Sequence, residues 1–183
     1  MTLGRENWTP YQIAVHKMGA KSSDEEWRDR WRTPKQITDR VTKFYDAFYY
    51  DPCPVKPQFD GLAVDWFPQS FINPPFSEYR RWVNYGLTQP MPQIWLSNHN
   101  HDTVWFKALS RRCAGQLQIA KRVRFIDANT GIQADNGAIG KCQTLHLLLD
   151  HRLSSTKVGT EILRFYEVFG DIGELFTRYN PLT

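Results

Sequence analysis

The sequence is poor in cysteine, has no long apolar run and carries no dense charge of either sign. Its three cysteines, Cys53, Cys113 and Cys142, stand far apart without a CxxC pair. That spacing disfavours a disulfide framework or a zinc knuckle and points to a reducing, cytoplasmic setting. No stretch approaches the roughly 20 apolar residues needed to cross a bilayer, and polar and charged groups sit where a secretory core would lie. Neither membrane insertion nor export is expected. Repeats are missing too, since only Trp8-Thr9-Pro10 echoes Trp31-Arg32-Thr33-Pro34. The net charge of +4 suits a protein that approaches phosphate but falls far short of a histone-like binder.

What is present is a chain of 183 residues whose 41% hydrophobic content suffices to bury one core, so a single domain over 1–183 is expected. Residues 1–21 read as an N-terminal arm and 154–183 as a C-terminal helical segment. Ser22 to Glu26 offers caps for a helix that stops near Arg32, before Pro34. After Pro34, Ile37, Val41, Phe44 and Phe48 recur at helical spacing to about Tyr45, and Ala47 to Tyr50 reads as a buried strand. Then come a strand Ser70 to Ile72, a helix Glu78 to Leu87, a strand Gln93 to Leu96, and a helix Asp102 to Cys113 capped by Asp102 or Thr103. Leu117 to Ile126 and Thr144 to Leu149 form a long-looped hairpin, and Thr160 to Tyr179 reads as one or two helices. The rhythm predicts an α/β fold with a mostly parallel sheet and a terminal antiparallel hairpin at or near its edge. In such sheets ligands bind beyond the carboxyl ends of strands.

Asn73-Pro74-Pro75-Phe76 follows a short apolar strand, the placement of a catalytic loop. An sp² amino nitrogen is a poor nucleophile because its lone pair is delocalised into the ring. Two acceptors aimed at its hydrogens hold that lone pair toward an electrophile. Asn73 Oδ1 and the Pro74 carbonyl are suited to be those acceptors, the consecutive prolines preorganise them, and Phe76 offers a face for a flipped base. An ordinary turn after a strand is the simpler reading of this tetrapeptide alone.

Several segments in order carry a resemblance. They are Trp31-Arg32-Thr33-Pro34, Asp51-Pro52-Cys53, Asp60-Gly61-Leu62 to Asp65-Trp66, and Asn73-Pro74-Pro75-Phe76. Trp82, Ile94-Trp95-Leu96, Asp102-Thr103-Val104-Trp105-Phe106 and Lys121-Arg122-Val123-Arg124-Phe125 follow. Over roughly residues 27 to 150 the chain resembles the Dam-like phage and prophage DNA N6-adenine methyltransferases. The resemblance implies a Rossmann-like fold and methyl transfer from S-adenosylmethionine to adenine in double-stranded DNA, with a role in methylation or restriction-modification. It places Trp31, Thr33, Pro34, Asp51, Cys53 and Asp65 around the cofactor. One departure stands out: where many methyltransferases have a glycine-rich turn, this chain has Asp51-Pro52-Cys53-Pro54-Val55-Lys56-Pro57. Only 21 residues separate Asp51 from Asn73, too few for two further strand and helix units, so a trimmed sheet of about five strands is expected.

Lys121, Arg122 and Arg124 interleave with apolar positions, as on a strand whose exposed face meets phosphate. Asn129, Gln133 and Asn136 lie in a polar loop able to read base edges. Asn98-His99-Asn100-His101-Asp102 holds metal-ligand residue types but lacks further convergent ligands, and no metal is expected. The aromatic C-terminal stripe, Phe165 to Tyr179, suits a core or a homo-oligomer contact. Rival readings are methylation of protein glutamine or RNA, and a catalytically silent domain that binds DNA or cofactor.

Overall fold

The computed structural model describes residues 31–55, 57–134 and 142–177. The arm at 1–21, the helix expected from Ser22 and the position of Asn136 lie outside them. The described chain is α/β: β1 (Trp31–Arg32), α1 (Lys35–Tyr45), β2 (Ser70–Ile72), α2 (Tyr79–Gly86), β3 (Gln93–Asn98), α3 (Val104–Arg112), β4 (Gly115–Ile119), β5 (Ile126–Asp127), β6 (Gln143–Leu148), α4 (Ser155–Phe169) and β7 (Gly173–Thr177).

Five strands form one sheet in the order β2-β3-β6-β4-β7. Strands β2 and β3 are parallel, as the crossover helix between them requires. Strand β6 runs antiparallel to both β3 and β4, so β4 points the same way as β2 and β3, and β7 runs against β4. The sheet is therefore mixed, not mostly parallel, and the hairpin strand β6 lies at its centre. All six residues of β6 are buried, as suits a strand paired on both edges and covered on both faces.

Alternation along the strands sorts side chains to two faces. Phe71, Ile94, Leu96, Leu145 and Leu147 pack with Ile37, Val41 and Phe44 of α1 and with Phe165, Val168 and Phe169 of α4. Ile72, Trp95 and Leu148 face the other way, toward Trp82 and Val83 of α2 and Leu109 of α3. Trp95 is fully buried, and such a ring contributes roughly 3–5 kcal/mol by large-to-small replacement. Its indole N–H donates to Gln93 Oε1 at 2.7 Å, and Gln93 Nε2 donates to the Gly86 carbonyl at 2.9 Å. The Gly86 carbonyl, at the end of α2, also accepts from Gln89 N–H at 3.1 Å, so the relay ties β3 to a helix end that is already capped.

Local chemistry sets the boundaries. Helix α1 starts after Pro34, whose carbonyl accepts from Ile37 N–H at 2.9 Å, and stops at Asp46, which takes a left-handed φ of 53°. Phe48, which shares the helical spacing, lies beyond that stop and is 96% exposed. The stretch expected as a buried strand there makes only an isolated bridge, Tyr50 to Ser70. Thr103 caps α3 by accepting from Phe106 N–H, and Ser154 caps α4 by accepting from Lys157 N–H.

Two further expectations are corrected. Trp31 and Arg32 are not the end of a helix; they pair antiparallel with Asp127 and Ile126. The strand expected over Leu117 to Ile126 divides, with β4 ending at Ile119 and β5 beginning at Ile126. The helical reading of the C-terminal segment holds to Phe169. A 3-10 turn at Gly170–Ile172 then leads into β7, and a Cβ at Gly173 would lie 2.2 Å from the Gln118 carbonyl oxygen. That close approach needs glycine.

Candidate active site

Strand β2 ends at Ile72 and delivers Asn73 beside the carboxyl end of the parallel pair, the position where α/β sheets bind ligands. A cavity of about 1010 Å³ opens there. Its wall is built from Trp31, Arg32 and Thr33, the stretches Asp51 to Val55 and Pro57 to Gly61, the Asn73-Pro74-Pro75-Phe76 loop, and Trp82 of α2. Residues as far apart in sequence as Trp31 and Trp82 thus meet around one space. Of the residues expected at the cofactor, Trp31, Thr33, Asp51 and Cys53 line it together with all four loop residues. Pro34 and Asp65 do not: Pro34 is buried at the start of α1, and Asp65 is exposed.

Asn73 Nδ2 donates to Thr33 Oγ1 at 3.1 Å. Its Oδ1 is buried and has no hydrogen-bond partner among the described residues. A buried acceptor left this way costs roughly 1–3 kcal/mol, which makes it a mark of a site awaiting a donor. Trp82 Nε1 is likewise buried without a partner among the described residues. Asp51 accepts from Cys53 N–H at 2.9 Å, and burial raises its carboxyl above the ordinary aspartate range. Burial also pushes the Cys53 thiol well up, with the Asp51 charge adding to it, so this sulfur is a protonated wall and not a nucleophile.

Phe76 belongs to an aromatic ladder. It stacks on Tyr79 at 6.0 Å between centroids, and Tyr79 stacks on Trp105 at 4.3 Å. The edge of Phe125 meets Phe76 at 5.7 Å and 81°. The loop is thereby held from α2, from α3 and from the segment leading into β5.

That segment carries the basic residues. Lys121, Arg122 and Arg124 are exposed while Val123 and Phe125 are buried, so cations alternate with anchors, although the backbone is extended loop and not strand. Asn129 and Gln133 are exposed in the following turn, and Gln133 Nε2 donates to the Arg124 carbonyl at 3.3 Å. None of these five lines the cavity; they lie along the segment that joins it through Phe125 and β5. Among the described residues no group of three His, Cys, Asp or Glu side chains converges as metal ligands do. No described helix is long and apolar enough to cross a membrane.

A family model described as DNA N-6-adenine-methyltransferase (Dam) matches residues 20–160. The chain belongs to the Dam family. No curated protein and no solved structure matches it. The Dam match takes in the whole cavity wall and strands β1 to β6, ending in the second turn of α4. Membership makes methylation of adenine N6 in DNA the activity of its family and DNA the partner. Within this Dam chain, Gly61 and Trp82 form part of the cavity that residue types alone did not reveal. A Cβ at Gly61 would lie 1.9 Å from the Pro52 carbonyl oxygen and 2.9 Å from the Trp82 ring. The glycine that lets backbone and ring close together stands here, ten residues after Asp51, where the proline-rich turn has none.

Proposed function

We propose that the protein is an S-adenosylmethionine-dependent DNA adenine N6-methyltransferase of Rossmann-like type, acting on an adenine flipped from the duplex. The observation that carries this reading is the buried, partnerless Oδ1 of Asn73 at the cavity. The cavity volume is at the upper end of small-molecule sites, enough for a cofactor and a base together. S-adenosylmethionine, when bound, supplies an electrophilic methyl group on a sulfonium that departs as a neutral thioether.

The chain's own groups do the rest. Asn73 Oδ1 and the Pro74 carbonyl accept the two N6 hydrogens and turn the nitrogen lone pair toward the methyl group. The same acceptors stabilise the positive charge that grows on nitrogen, and one of its protons passes to water afterwards. Phe76 supplies a stacking face backed by Tyr79. Asp51 suits the cofactor's ammonium or hydroxyl groups, and the Trp82 N–H is a donor in want of an acceptor. Lys121, Arg122 and Arg124 meet backbone phosphates, while Asn129, Gln133 and Asn136 approach base edges.

Replacing Asn73 by Ala is expected to lower the turnover number on duplex DNA by roughly a hundredfold or more while DNA still binds. Mass analysis of nucleosides from the treated DNA checks this. Undiminished formation of N6-methyladenine by Asn73→Ala would remove Asn73 from the mechanism, and methyl transfer to protein or RNA alone would replace the substrate.

A further inference from the structure

An asparagine carboxamide has nearly the same shape whichever way it is turned, so its orientation is set by its hydrogen-bond partners. At Asn73 the choice decides chemistry. With nitrogen turned toward Thr33, the oxygen is the end left without a partner; the reverse orientation would confront an amino substrate with two donors. The Thr33 hydroxyl, a group able to donate as well as accept, here accepts from Asn73 Nδ2 at 3.1 Å, and Oδ1 is the acceptor left without a partner among the described residues.

Thr33 is itself tightly placed. It follows β1, whose two residues pair with Asp127 and Ile126, and it precedes Pro34, which restricts the backbone of the residue before it to extended conformations. Its β-branched side chain has few χ1 rotamers, which confines the hydroxyl to a small set of positions. We propose that Thr33 is a positioning residue that orients the Asn73 carboxamide with its oxygen toward the substrate amino group. The methylation role rests on the functional reading above; the amide orientation does not.

Thr33→Val keeps the shape and removes the hydroxyl, and Thr33→Ser keeps the hydroxyl. In the full chain Thr33→Val is expected to reduce kcat roughly 10- to 100-fold. KM for duplex DNA and the calorimetric affinity for S-adenosylmethionine should stay within about twofold, and Thr33→Ser should return most of the rate. A full rate in Thr33→Val, or a loss carried by weaker cofactor binding, would overturn the proposal, the latter in favour of a direct cofactor contact. NMR of the side-chain amides supplies a readout independent of turnover: the Asn73 NH₂ pair should move in Thr33→Val and return in Thr33→Ser. If the wild-type protein transfers no methyl to adenine, the functional reading falls and the amide signals still decide the orientation. Asn73 resonances indifferent to Thr33→Val would sink that as well.

Discussion

At Asp51 burial and charge pull in opposite directions. The carboxylate accepts one backbone N–H, from Cys53, but burial outweighs that bond and raises its pKa. In the free protein the ionised form is therefore the costlier one. Stability from this group is complete below its unfolded pKa and is lost as pH rises through the folded value. A cationic ligand reverses the balance, because binding draws the proton off. We expect the affinity for S-adenosylmethionine to weaken as pH falls through the raised Asp51 range, and the Asp51→Asn variant to lose that dependence. Calorimetric titrations from the ordinary aspartate range up to neutrality test this; equal pH slopes in both proteins would remove Asp51 from the cofactor. Asp51, like Asn73 and Thr33, was legible as a polar residue at an expected turn or strand end. Trp82 and Gly61 entered only as parts of the resemblance, without a role in the site, because a tryptophan on a helix face reads as core and a single glycine reads as a turn. Only their mutual packing makes a wall of them.

Among the elements, the two-residue pair β1 and β5 does more than its length suggests. It fixes the backbone that presents Trp31 and Thr33 to the cavity, and it is closed by a turn organised by Asp127. That buried carboxylate accepts from the N–H groups of Asn129 at 2.9 Å and Thr130 at 3.0 Å, while Gly131 N–H reaches the Asp127 carbonyl with φ at 69°. Asp127→Ala removes these two bonds to the turn and is expected to cost roughly 1.5–3 kcal/mol. Because β5 then lacks its brace, hydrogen exchange at Arg32 and Ile126 should accelerate more than exchange in β3. Urea melts and exchange mass spectrometry check the two parts, and unchanged melts would show that the turn holds without Asp127. Helices α1 to α3 and strands β2 and β3 were readable because periodicity and caps are local signals. Strands β1 and β5 were not, since two residues carry no period and each exists only by pairing with the other. Strand β7 was hidden because Phe165, Phe169 and Phe176 look like one continuing stripe, and only Gly170 and Gly173 break it.

For the whole molecule, the strand and helix rhythm correctly implied that β2, β3 and β4 point one way. It did not tell that β6 would enter between β3 and β4, because partner choice among strands depends on contacts remote in sequence. The run Leu147-Leu148-Leu149 was the available sign, since a strand apolar on both faces belongs inside a sheet. The insertion carries His146 into the interior. There its Nε2 is 3.0 Å from Ser97 Oγ of β3 and its ring meets Phe106 of α3 edge-on at 5.0 Å. Burial first, and then the nearby His99, lower its pKa from 6.5 to about 3. A histidine depressed in the fold contributes stability above its unfolded pKa, and that stability is lost as pH falls through 6.5 toward the folded value. Each pH unit below 6.5 should remove about 1.4 kcal/mol, or about 2 kcal/mol by pH 5. His99 is also depressed, first by burial and then by His101; these causes are common to the wild type and to a His146→Leu variant and cancel in their difference, while its coupling to His146 counts with the His146 share. Urea melts at pH 7, 6 and 5 should show the wild type falling by one proton's slope more than His146→Leu, whatever the two stabilities are at pH 7. Parallel lines would mean that the central strand does not hold a neutral histidine, and that acid sensitivity resides elsewhere in the sheet.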